Sequence, residues 1–303
     1  YQTPYRGLPA GYTQVEYIQS SGSQYIDLGI NARSGLAMET VMSWVAVPCD
    51  ASYCGARTSS DRIYPLHYYG SWTLGHGNYF TTGTKAVADK IYHVESDVCN
   101  GLQKITVADD ETGNVELDWS KSPAATGDID IQTTLTLFGF HQGTGVSGKC
   151  SARCYMLKVW SVDGEGDRKL IGDFVPCLNS SGAAGLYDLV SNKYLPPSAA
   201  LAGYGNPVQA PVDPSQYDGN VFIGDTQEGD WFEPSNWSYE HVPTASEDAF
   251  IVDRGVAAAE QITAKSLRIV GGSLKLGDAM GYTYDETEAK WKKEFELPIK
   301  IFF

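Results

Sequence analysis

The sequence feature that most constrains the fold is a hairpin pattern centred near residue 165. Tyr155 to Val162 is rich in aromatic and β-branched residues, as strands commonly are. Asp163 to Asp167 contains glycines, which can adopt the positive φ that a tight turn requires. Leu170 to Val175 again has strand composition, and Pro176 predicts its end because proline cannot donate a ladder hydrogen bond. The pattern predicts two antiparallel strands, followed by a short strand at Gly185 to Val190.

The composition of the chain predicts an all-β protein. Its 303 residues are 42% hydrophobic and 19% charged, which is the balance of an ordinary globular protein. Tyrosine (19), glycine (32) and tryptophan (7) are abundant, and long helical periodicities are scarce. A chain of this length can form two domains with a sizeable core.

Charge and hydropathy argue against two classes of partner. The formal net charge is −15, so nucleic-acid phosphates and anionic lipids are repelled, and no basic stripe offsets this repulsion. No segment reaches the roughly 18 consecutive apolar residues that a membrane span requires. We therefore predict no nucleic-acid binding and no membrane insertion.

Alternating apolar residues and turn residues place the other strands. Asn100-Gly101 predicts a tight hairpin, because this dipeptide favours the two-residue turn that joins antiparallel strands. Polar or glycine-rich stretches predict connections at 109–127 and 143–148. The remaining predicted strands are two within 12–30 and one each at Leu36–Val47, Ile91–Cys99, Gln103–Ala108 and Ile131–Phe140.

A proline-rich stretch divides the chain. Leu195 to Pro214 contains prolines at 196, 197, 207, 211 and 214, separated mainly by small residues. This composition is typical of a semi-rigid linker. The sequence therefore predicts a domain at 10–204, a linker at 205–217 and a second domain at 218–303.

Two segments of the first domain resemble a known family. One is LPAGYTQVEYIQSSGSQYIDLGI at Leu8 to Ile30, and the other combines DFVPCLN at Asp173 to Asn179 with GLYDLV and Lys193-Tyr194. They resemble the first and last strands of the concanavalin A-like (laminin-G-like) jelly roll of gut-bacterial surface proteins and phage tail proteins. The resemblance implies an antiparallel jelly-roll sandwich in a secreted or cell-surface protein. It implies little about function, because this sandwich hosts lectins, glycosidases and spacers alike.

The segment after the linker resembles a second family. Trp231, Asn236-Trp237, Val242-Pro243 and the alternating stretch Ile262 to Leu276 are similar to the unit that begins β-solenoid passengers of bacterial surface proteins. One such repeat cannot bury its own face, so a small β-sandwich is the alternative. Either structure is a small C-terminal β domain.

The candidate ligand-binding residues lie between 64 and 80. This stretch is dense in aromatic and polar side chains and is interrupted by glycines. A sugar needs a ring to stack on and polar partners for its hydroxyls, and the stretch supplies both. The alternative is that the rings fill the sandwich core. The candidates are Tyr68, Tyr69, Trp72, His76 and Tyr79.

The candidate catalytic residues are Glu95 and Asp97. Concanavalin A-like glucanases carry acids in the pattern E-x-D-x-x-E, where strand alternation places the first two on one face. Glu95 and Asp97 match these two positions, but Asn100 occupies the third. The alternative is an outward strand face in contact with solvent.

The candidate metal ligands are Asp128 and Asp130. Ca²⁺ prefers several oxygen ligands, and two closely spaced carboxylates supply part of such a set. For two acids alone, a solvated loop edge is the favoured interpretation. The sequence contains no H-E-x-x-H, G-x-S-x-G or phosphate-loop motif, so we predict no other cofactor.

Six cysteines suit an oxidising compartment but do not define their pairing. Cys49 and Cys54 flank a predicted turn at Asp50 to Tyr53, and we expect a disulfide that closes this loop. We expect at least one of Cys99, Cys154 and Cys177 to be a free thiol that packs as a small apolar side chain.

These patterns favour one function and leave two others open. We predict a glycan-binding or adhesion module whose partner is a host or environmental glycan or glycoprotein, such as mucin. One alternative is a secreted hydrolase, either a glycosidase or a protease acting on mucin, that uses a carboxylate pair. The other alternative is a structural spacer.

Overall fold

The computed structural model describes residues 3–99, 101–122, 127–208, 210, 212–224, 229–252, 254–258, 262–270, 273–276, 282–285, 290–293 and 300–302. The chain divides into two compact units, Tyr1–Val208 and Gln209–Phe303, and each has its own hydrophobic core. Within the described residues, no helix combines the length and the apolar composition needed to cross a lipid bilayer.

The described part of the first unit consists of strands and their connections. The strands are β1 (Thr13–Gln14), β2 (Ile18–Ser21), β3 (Ile26–Arg33), β4 (Leu36–Trp44), β5 (Asp50–Arg57), β6 (Arg62–Tyr69), β7 (Trp72–His76), β8 (Asn78–Thr81), β9 (Ile91–Cys99), β10 (Leu102–Asp109), β11 (Val115–Lys121), β12 (Asp130–Leu137), β13 (Gly139–Gln142), β14 (Gly145–Ser147), β15 (Ser151–Val162), β16 (Arg168–Leu178), β17 (Ala184–Asp188), β18 (Lys193–Leu195) and β19 (Gly203–Tyr204).

The strands of the first unit form a two-sheet sandwich. The larger sheet has the order β11-β10-β9-β4-β15-β16-β17-β18, and β1, β2 and β19 pair alongside it. The smaller sheet has the order β14-β13-β5-β6-β7-β8, with β12 pairing to β5 and β3 pairing to β12. Paired strands are antiparallel except β5 and β13, which are parallel. The predicted all-β, antiparallel jelly-roll fold is therefore confirmed.

The apolar faces of the two sheets enclose a common core. Trp44 of the larger sheet contacts Tyr53, Tyr68 and Trp72 of the smaller sheet, with ring centroids 5.8–6.1 Å apart. All four side chains are at most 3% exposed. Burial of each ring removes a large apolar area from water, so these contacts stabilise the packing of one sheet against the other.

Pro176 does not end its strand, contrary to the sequence prediction. β16 continues through it to Leu178, with Pro176 opposite Leu186 in β17. The Pro176 carbonyl accepts a hydrogen bond from the Val15 amide at 3.0 Å. Proline lacks only the donor of the ladder, so a position that uses its acceptor tolerates it.

Three predicted connections contain strands. Asp50 to Tyr53 begins β5, and the turn that follows lies at Thr58 to Asp61, where the Thr58 amide donates to the Asp61 carbonyl at 2.8 Å. The predicted connection at 109–127 contains β11, and the one at 143–148 contains β14. β11 is an edge strand whose side chains are mostly exposed, and its polar composition therefore resembles that of a loop.

The first part of the proline-rich stretch pairs with the first unit. β19 is antiparallel to β2, and Pro197 and Pro207 form isolated bridges with Ile26 and Val15. The Val208 amide donates to the Gln14 carbonyl at 2.9 Å. The chain therefore follows the sandwich up to Val208.

The second unit contains strands that pair in parallel. The strands are β20 (Asn220–Val221), β21 (Gly229–Asp230), β22 (Asp248–Val252), β23 (Gly255–Ala258), β24 (Ser266–Val270), β25 (Ser273–Leu276), β26 (Tyr282–Asp285), β27 (Lys290–Lys293) and β28 (Lys300–Phe302), and two short 3₁₀ helices span Pro214–Gln216 and Pro234–Asn236. The orders β20-β22-β24-β28 and β21-β23-β25 are parallel, whereas β26 and β27 form an antiparallel pair.

The tryptophans of the second unit form its core. Trp231 and Trp237 are fully buried, with ring centroids 4.7 Å apart, and Phe222 lies edge-on to Trp237 at 5.2 Å. The Trp237 indole N–H donates to the Trp231 carbonyl at 2.8 Å, which satisfies a buried polar group. The predicted small C-terminal β domain is confirmed.

Candidate functional site

A cluster of rings and arginines lies on the face of the smaller sheet that points away from the core. Along β6, Ile63, Leu66 and Tyr68 belong to the core, so the other side chains of this strand project from the opposite face. Strands β5, β8 and β13 add side chains to the same group. We call this group the aromatic–arginine cluster, and it consists of Arg57, Arg62, Tyr64, His67, Tyr69, Tyr79 and Phe140.

A β-bulge in β6 brings two rings of the cluster together. The register between β6 and β7 shifts between Tyr64 and His67. These residues are three positions apart, and in a regular strand they would point to opposite faces. A bulge inserts one extra residue and restores them to one face. Their rings stack with centroids 4.7 Å and planes 15° apart.

Two glycines make room for the Tyr64 ring. Gly55 on β5 and Gly75 on β7 flank it on the neighbouring strands. A Cβ at Gly55 would collide with Cδ1 of the ring, and a Cβ at Gly75 would lie 2.7 Å from Cδ2. Tyr64 is fully buried, and this burial raises the pKa of its hydroxyl. The ring therefore forms the floor of the cluster.

Tyr69 and Tyr79 form the outer part of the cluster. Their rings stack with centroids 5.5 Å apart and planes only 12° apart. Tyr69 is 52% exposed. Tyr79 is half-buried and contacts Tyr64 at 5.9 Å and His67 at 5.3 Å. The exposed ring thus rests on a packed layer of other rings, which restricts its motion.

Arg57 and Arg62 lie over the rings of the cluster. They are directly opposite each other in the register of β5 and β6. The Arg62 guanidinium carbon lies 4.5 Å from the centroid of Tyr79, and that of Arg57 lies 5.2 Å from the centroid of Phe140. Such cation–π contacts hold the guanidinium groups against the rings. Both side chains are partly exposed.

His67 is uncharged at neutral pH. Burial lowers its pKa to about 4; Asp50 opposes this shift, and Arg62 and Arg57 reinforce it. Nε2 of His67 lies 3.0 Å from Oδ1 of Asp50. The positive charge of the aromatic–arginine cluster therefore resides on its two arginines.

The structure divides the five predicted ligand-binding residues between two faces. Tyr69 and Tyr79 belong to the aromatic–arginine cluster. Tyr68, Trp72 and His76 point into the sandwich and are 3%, 1% and 0% exposed. The expectation that these three side chains project toward a ligand is therefore corrected. Because strand neighbours alternate, one hairpin supplies rings to both the core and the surface.

His76 takes part in a buried contact at one end of the sandwich. Its Nε2 lies 2.8 Å from Oγ of Ser34, and that oxygen also accepts a hydrogen bond from the Ile129 amide at 2.7 Å. Burial lowers the pKa of His76, and Asp128 opposes the shift. The contact links the segment after β3 with the end of β7 and the segment before β12.

Asp128 and Asp130 line a cleft of about 670 Å³ at the same end of the sandwich. The Asp130 carboxylate accepts hydrogen bonds from the Gln132 amide and the Asn31 side chain, which lower its pKa. In the part of the chain that the structure describes, no three His, Cys, Asp or Glu side chains are grouped to hold a metal ion. The geometry adds no support to the candidate calcium ligands Asp128 and Asp130.

Glu95 and Asp97 lie on the outer face of the larger sheet. Glu95 is exposed and directly opposite Glu39 in β4. Oδ1 of Asp97 lies 2.7 Å from Nη2 of Arg168. Asn100, the third position of the predicted motif, is outside the described residues. The two acids thus belong to a charged sheet face, and one of them is engaged in an ion pair.

All six cysteines lie in the described residues and are free. The predicted Cys49–Cys54 disulfide is wrong because Asp50 to Tyr53 belongs to a strand. Five extended residues span about 17 Å, well beyond the roughly 7 Å that a disulfide bridges. Cys154 and Cys177 are buried, which raises the pKa of both thiols to about 12. The expectation of a free thiol among these residues is confirmed.

Sequence reasoning missed five residues of the aromatic–arginine cluster. These are Arg57, Arg62, Tyr64, His67 and Phe140. Tyr64 and His67 lie within the stretch singled out as aromatic-rich, but the bulge that aligns them has no sequence signature there. One sequence signal could have indicated the arginine pair. Arg57 and Arg62 directly flank the Thr58 to Asp61 turn, and residues at equal distance from a hairpin turn become cross-strand partners.

Comparisons with known proteins find likeness only among solved structures. The chain matches no protein-family model and no curated protein sequence. One similar structure is a Bacteroides ovatus protein provisionally described as carbohydrate-binding (10% identity, 64% of this chain, 62% of that one, TM-score 0.43). A second is the enzymatically active domain of bacteriophage CBA120 tailspike protein 2 (15% identity, 54% of this chain, 31% of that one, TM-score 0.36). A third consists of domains LG4-5 of the mouse laminin α1 chain (13% identity, 56% of this chain, 50% of that one, TM-score 0.32). In each case the chain spans less than two thirds of the matched structure.

Proposed function

We propose that the first unit is a glycan-binding module of a secreted or surface-displayed protein, and that its site is the aromatic–arginine cluster. The observation that carries this proposal is the stacked pair Tyr69 and Tyr79, exposed at its outer ring and flanked by two arginines. The C–H face of a sugar stacks on such a ring, while guanidinium groups donate hydrogen bonds to its oxygens. The outer face of a sheet gives an extended oligosaccharide room to lie across several strands.

Binding fits this cluster better than hydrolysis. His67 and Tyr64, its titratable side chains at the floor, are fully buried. A general acid or base must come within hydrogen-bond reach of the substrate, and these two groups are covered by the other rings. Glu95 and Asp97 belong to the other sheet, and Asp97 is paired with Arg168. We therefore favour adhesion to host or environmental glycans, such as those of mucin, over the alternative of a secreted hydrolase.

We also propose that the second unit is part of a β-solenoid. Asp248 is opposite Ser266 and Gly255 is opposite Ser273, so two parallel strand pairs share an offset of 18 residues. A shared offset is expected when successive coils of a solenoid stack. Its buried Trp231 and Trp237 fill the coil with apolar side chains.

Retention on immobilised glycans, including mucin oligosaccharides, tests the function of the sandwich. We expect Tyr69→Ala to weaken retention about 2- to 12-fold, because loss of one stacking ring costs about 0.5–1.5 kcal/mol. Tyr204→Ala is the matched control, since Tyr204 is a tyrosine of similar exposure (50%) on a strand of the larger sheet. Equal retention by both variants, or no retention by the unmodified protein, would contradict the proposal.

A further inference from the structure

Two arginines of the aromatic–arginine cluster repel each other. Arg57 and Arg62 are cross-strand partners. Side chains in that position have Cβ atoms about 4.5–5.5 Å apart, and like charges there destabilise a sheet. Among the residues that the structure describes, neither guanidinium group has a carboxylate oxygen within 4.0 Å. Arg62 donates a hydrogen bond to the Gly77 carbonyl, and both arginines lie over rings. The fold therefore retains two adjacent cations with neutral partners and no carboxylate partner among the described residues.

This arrangement differs from that of three other arginines of the first unit. Arg6 pairs with Asp173, Arg153 with Asp89 and Arg168 with Asp97, each at 2.9 Å or less. The chain carries 37 acidic residues against 22 basic ones, so carboxylates are plentiful. Two arginines that are cross-strand partners and lack a carboxylate, in the described part of this acidic chain, are thus an arrangement that composition does not explain.

The only acid among the described contacts of the cluster is Asp50, and it faces His67 rather than an arginine. Its Oδ1 lies 3.0 Å from Nε2 of His67. His67 itself is neutral at neutral pH, so it adds no charge. The cluster keeps a net positive charge at the surface of a protein whose formal net charge is −15.

Resting on the proposed function, we infer that the aromatic–arginine cluster recognises an anionic sugar, one that carries a carboxylate or sulfate group. The sugar ring stacks on the exposed ring of Tyr69, which Tyr79 supports from below. Its anionic group lies at the end of the cluster where Arg57 and Arg62 are opposite each other. Guanidinium groups bind carboxylate and sulfate oxygens through two parallel N–H donors. An anion placed there also relieves the repulsion between the two cations.

Binding of the whole chain to three related trisaccharides tests this inference. The probes are a trisaccharide with one glucuronic acid, the same trisaccharide with that carboxyl reduced to an alcohol, and the reduced form carrying one sulfate. We expect at least one anionic probe to bind tenfold or more tightly than the neutral probe. The carboxylate and sulfate arms then identify which anionic group is preferred.

Charge-removal variants locate the preference. Arg57→Gln with Arg62→Gln should abolish the difference between anionic and neutral probes. Arg153→Gln with Arg168→Gln is the matched control, because it removes two positive charges from the other sheet; it should leave the difference intact. Arg57→Lys with Arg62→Lys keeps both positive charges but removes the two parallel N–H donors of each guanidinium group. We expect this variant to show a reduced preference for the anionic probes. It also tests the inference if the double glutamine variant does not fold.

The outcomes separate this inference from the proposed function. Equal binding of all three trisaccharides by the unmodified protein would overturn the inference and leave glycan binding standing. A folded double glutamine variant that keeps the preference would overturn the assignment to these arginines. No binding of any glycan, in this assay and in the retention assay on mucin oligosaccharides, would overturn the proposed function as well.

Discussion

Alanine substitution of Trp72 and of Tyr69 should separate core packing from recognition within one hairpin. The two residues are three positions apart, yet Trp72 is 1% exposed and Tyr69 is 52% exposed. Trp72 contacts Trp44, Tyr68 and Tyr92, with ring centroids 5.2–6.0 Å apart. Truncating a buried tryptophan leaves a cavity among these rings and costs about 3–5 kcal/mol.

These free energies convert into different melting temperatures. For a unit of this size, 1 kcal/mol shifts Tm by about 2–4 °C, so Trp72→Ala should lower Tm by about 6–20 °C. Tyr69→Ala loses mainly its stacked contact with Tyr79, worth about 0.5–1.5 kcal/mol, and should lower Tm by at most about 6 °C. Scanning calorimetry of the whole chain measures the transition of the first unit in each variant.

Glycan retention should show the opposite order. Measured at a temperature where both variants are folded, Trp72→Ala should keep its retention and Tyr69→Ala should lose several-fold. Equal losses of Tm, or lost retention by a folded Trp72→Ala variant, would refute the assignment of the two residues to opposite faces of the sheet.

Three further predictions follow from the same geometry. Gly75→Ala places a Cβ 2.7 Å from the Tyr64 ring, so urea unfolding should show a loss of about 1–3 kcal/mol; an unchanged midpoint would contradict the tight fit. Because burial lowers the pKa of His67 to about 4 in the folded state, the unfolded chain binds the proton more readily. Stability is therefore complete above pH 6.5 and should fall by on the order of 3 kcal/mol as the pH drops toward 4; a His67→Gln variant with the same pH profile would count against this. Limited proteolysis should cut first beyond Val208, whose amide is bonded to Gln14, and a first cut within 195–208 would argue against that pairing.

The strands and several turns follow from local patterns in the sequence. β15 and β16 lie where the aromatic and β-branched runs predicted them, and β9 and β10 form the hairpin that Asn100-Gly101 predicted. Each of these features is determined by residues close in sequence. Local composition is then sufficient, because turn conformation and strand propensity depend on neighbouring residues.

The candidate site depends on features that local patterns do not contain. Alternation divides the β6 side chains between two faces but does not say which face is buried when both carry rings. The bulge after Tyr64 then shifts the alternation by one, so that His67 joins Tyr64 while Tyr68 enters the core. Trp72 is aromatic like Tyr69, and only the facing sheet, through Trp44, distinguishes the two. These are long-range contacts, so the core and the surface rings could not be separated from sequence.

The overall charge of the chain does not prevent its local charge from selecting an anion. At physiological ionic strength the Debye length is about 8 Å, so exposed carboxylates elsewhere on a surface of net charge −15 are largely screened from a bound ligand. A group in contact with Arg57 or Arg62 lies well within that length, and it meets partly buried cations held over Phe140 and Tyr79. Screening weakens such close contacts much less than it weakens distant repulsion. The acidic composition that argues against nucleic-acid binding is therefore compatible with the inferred anion-selective sheet face. The net negative charge repels a polyanion over the whole surface, whereas the two arginines attract an anionic group only at contact.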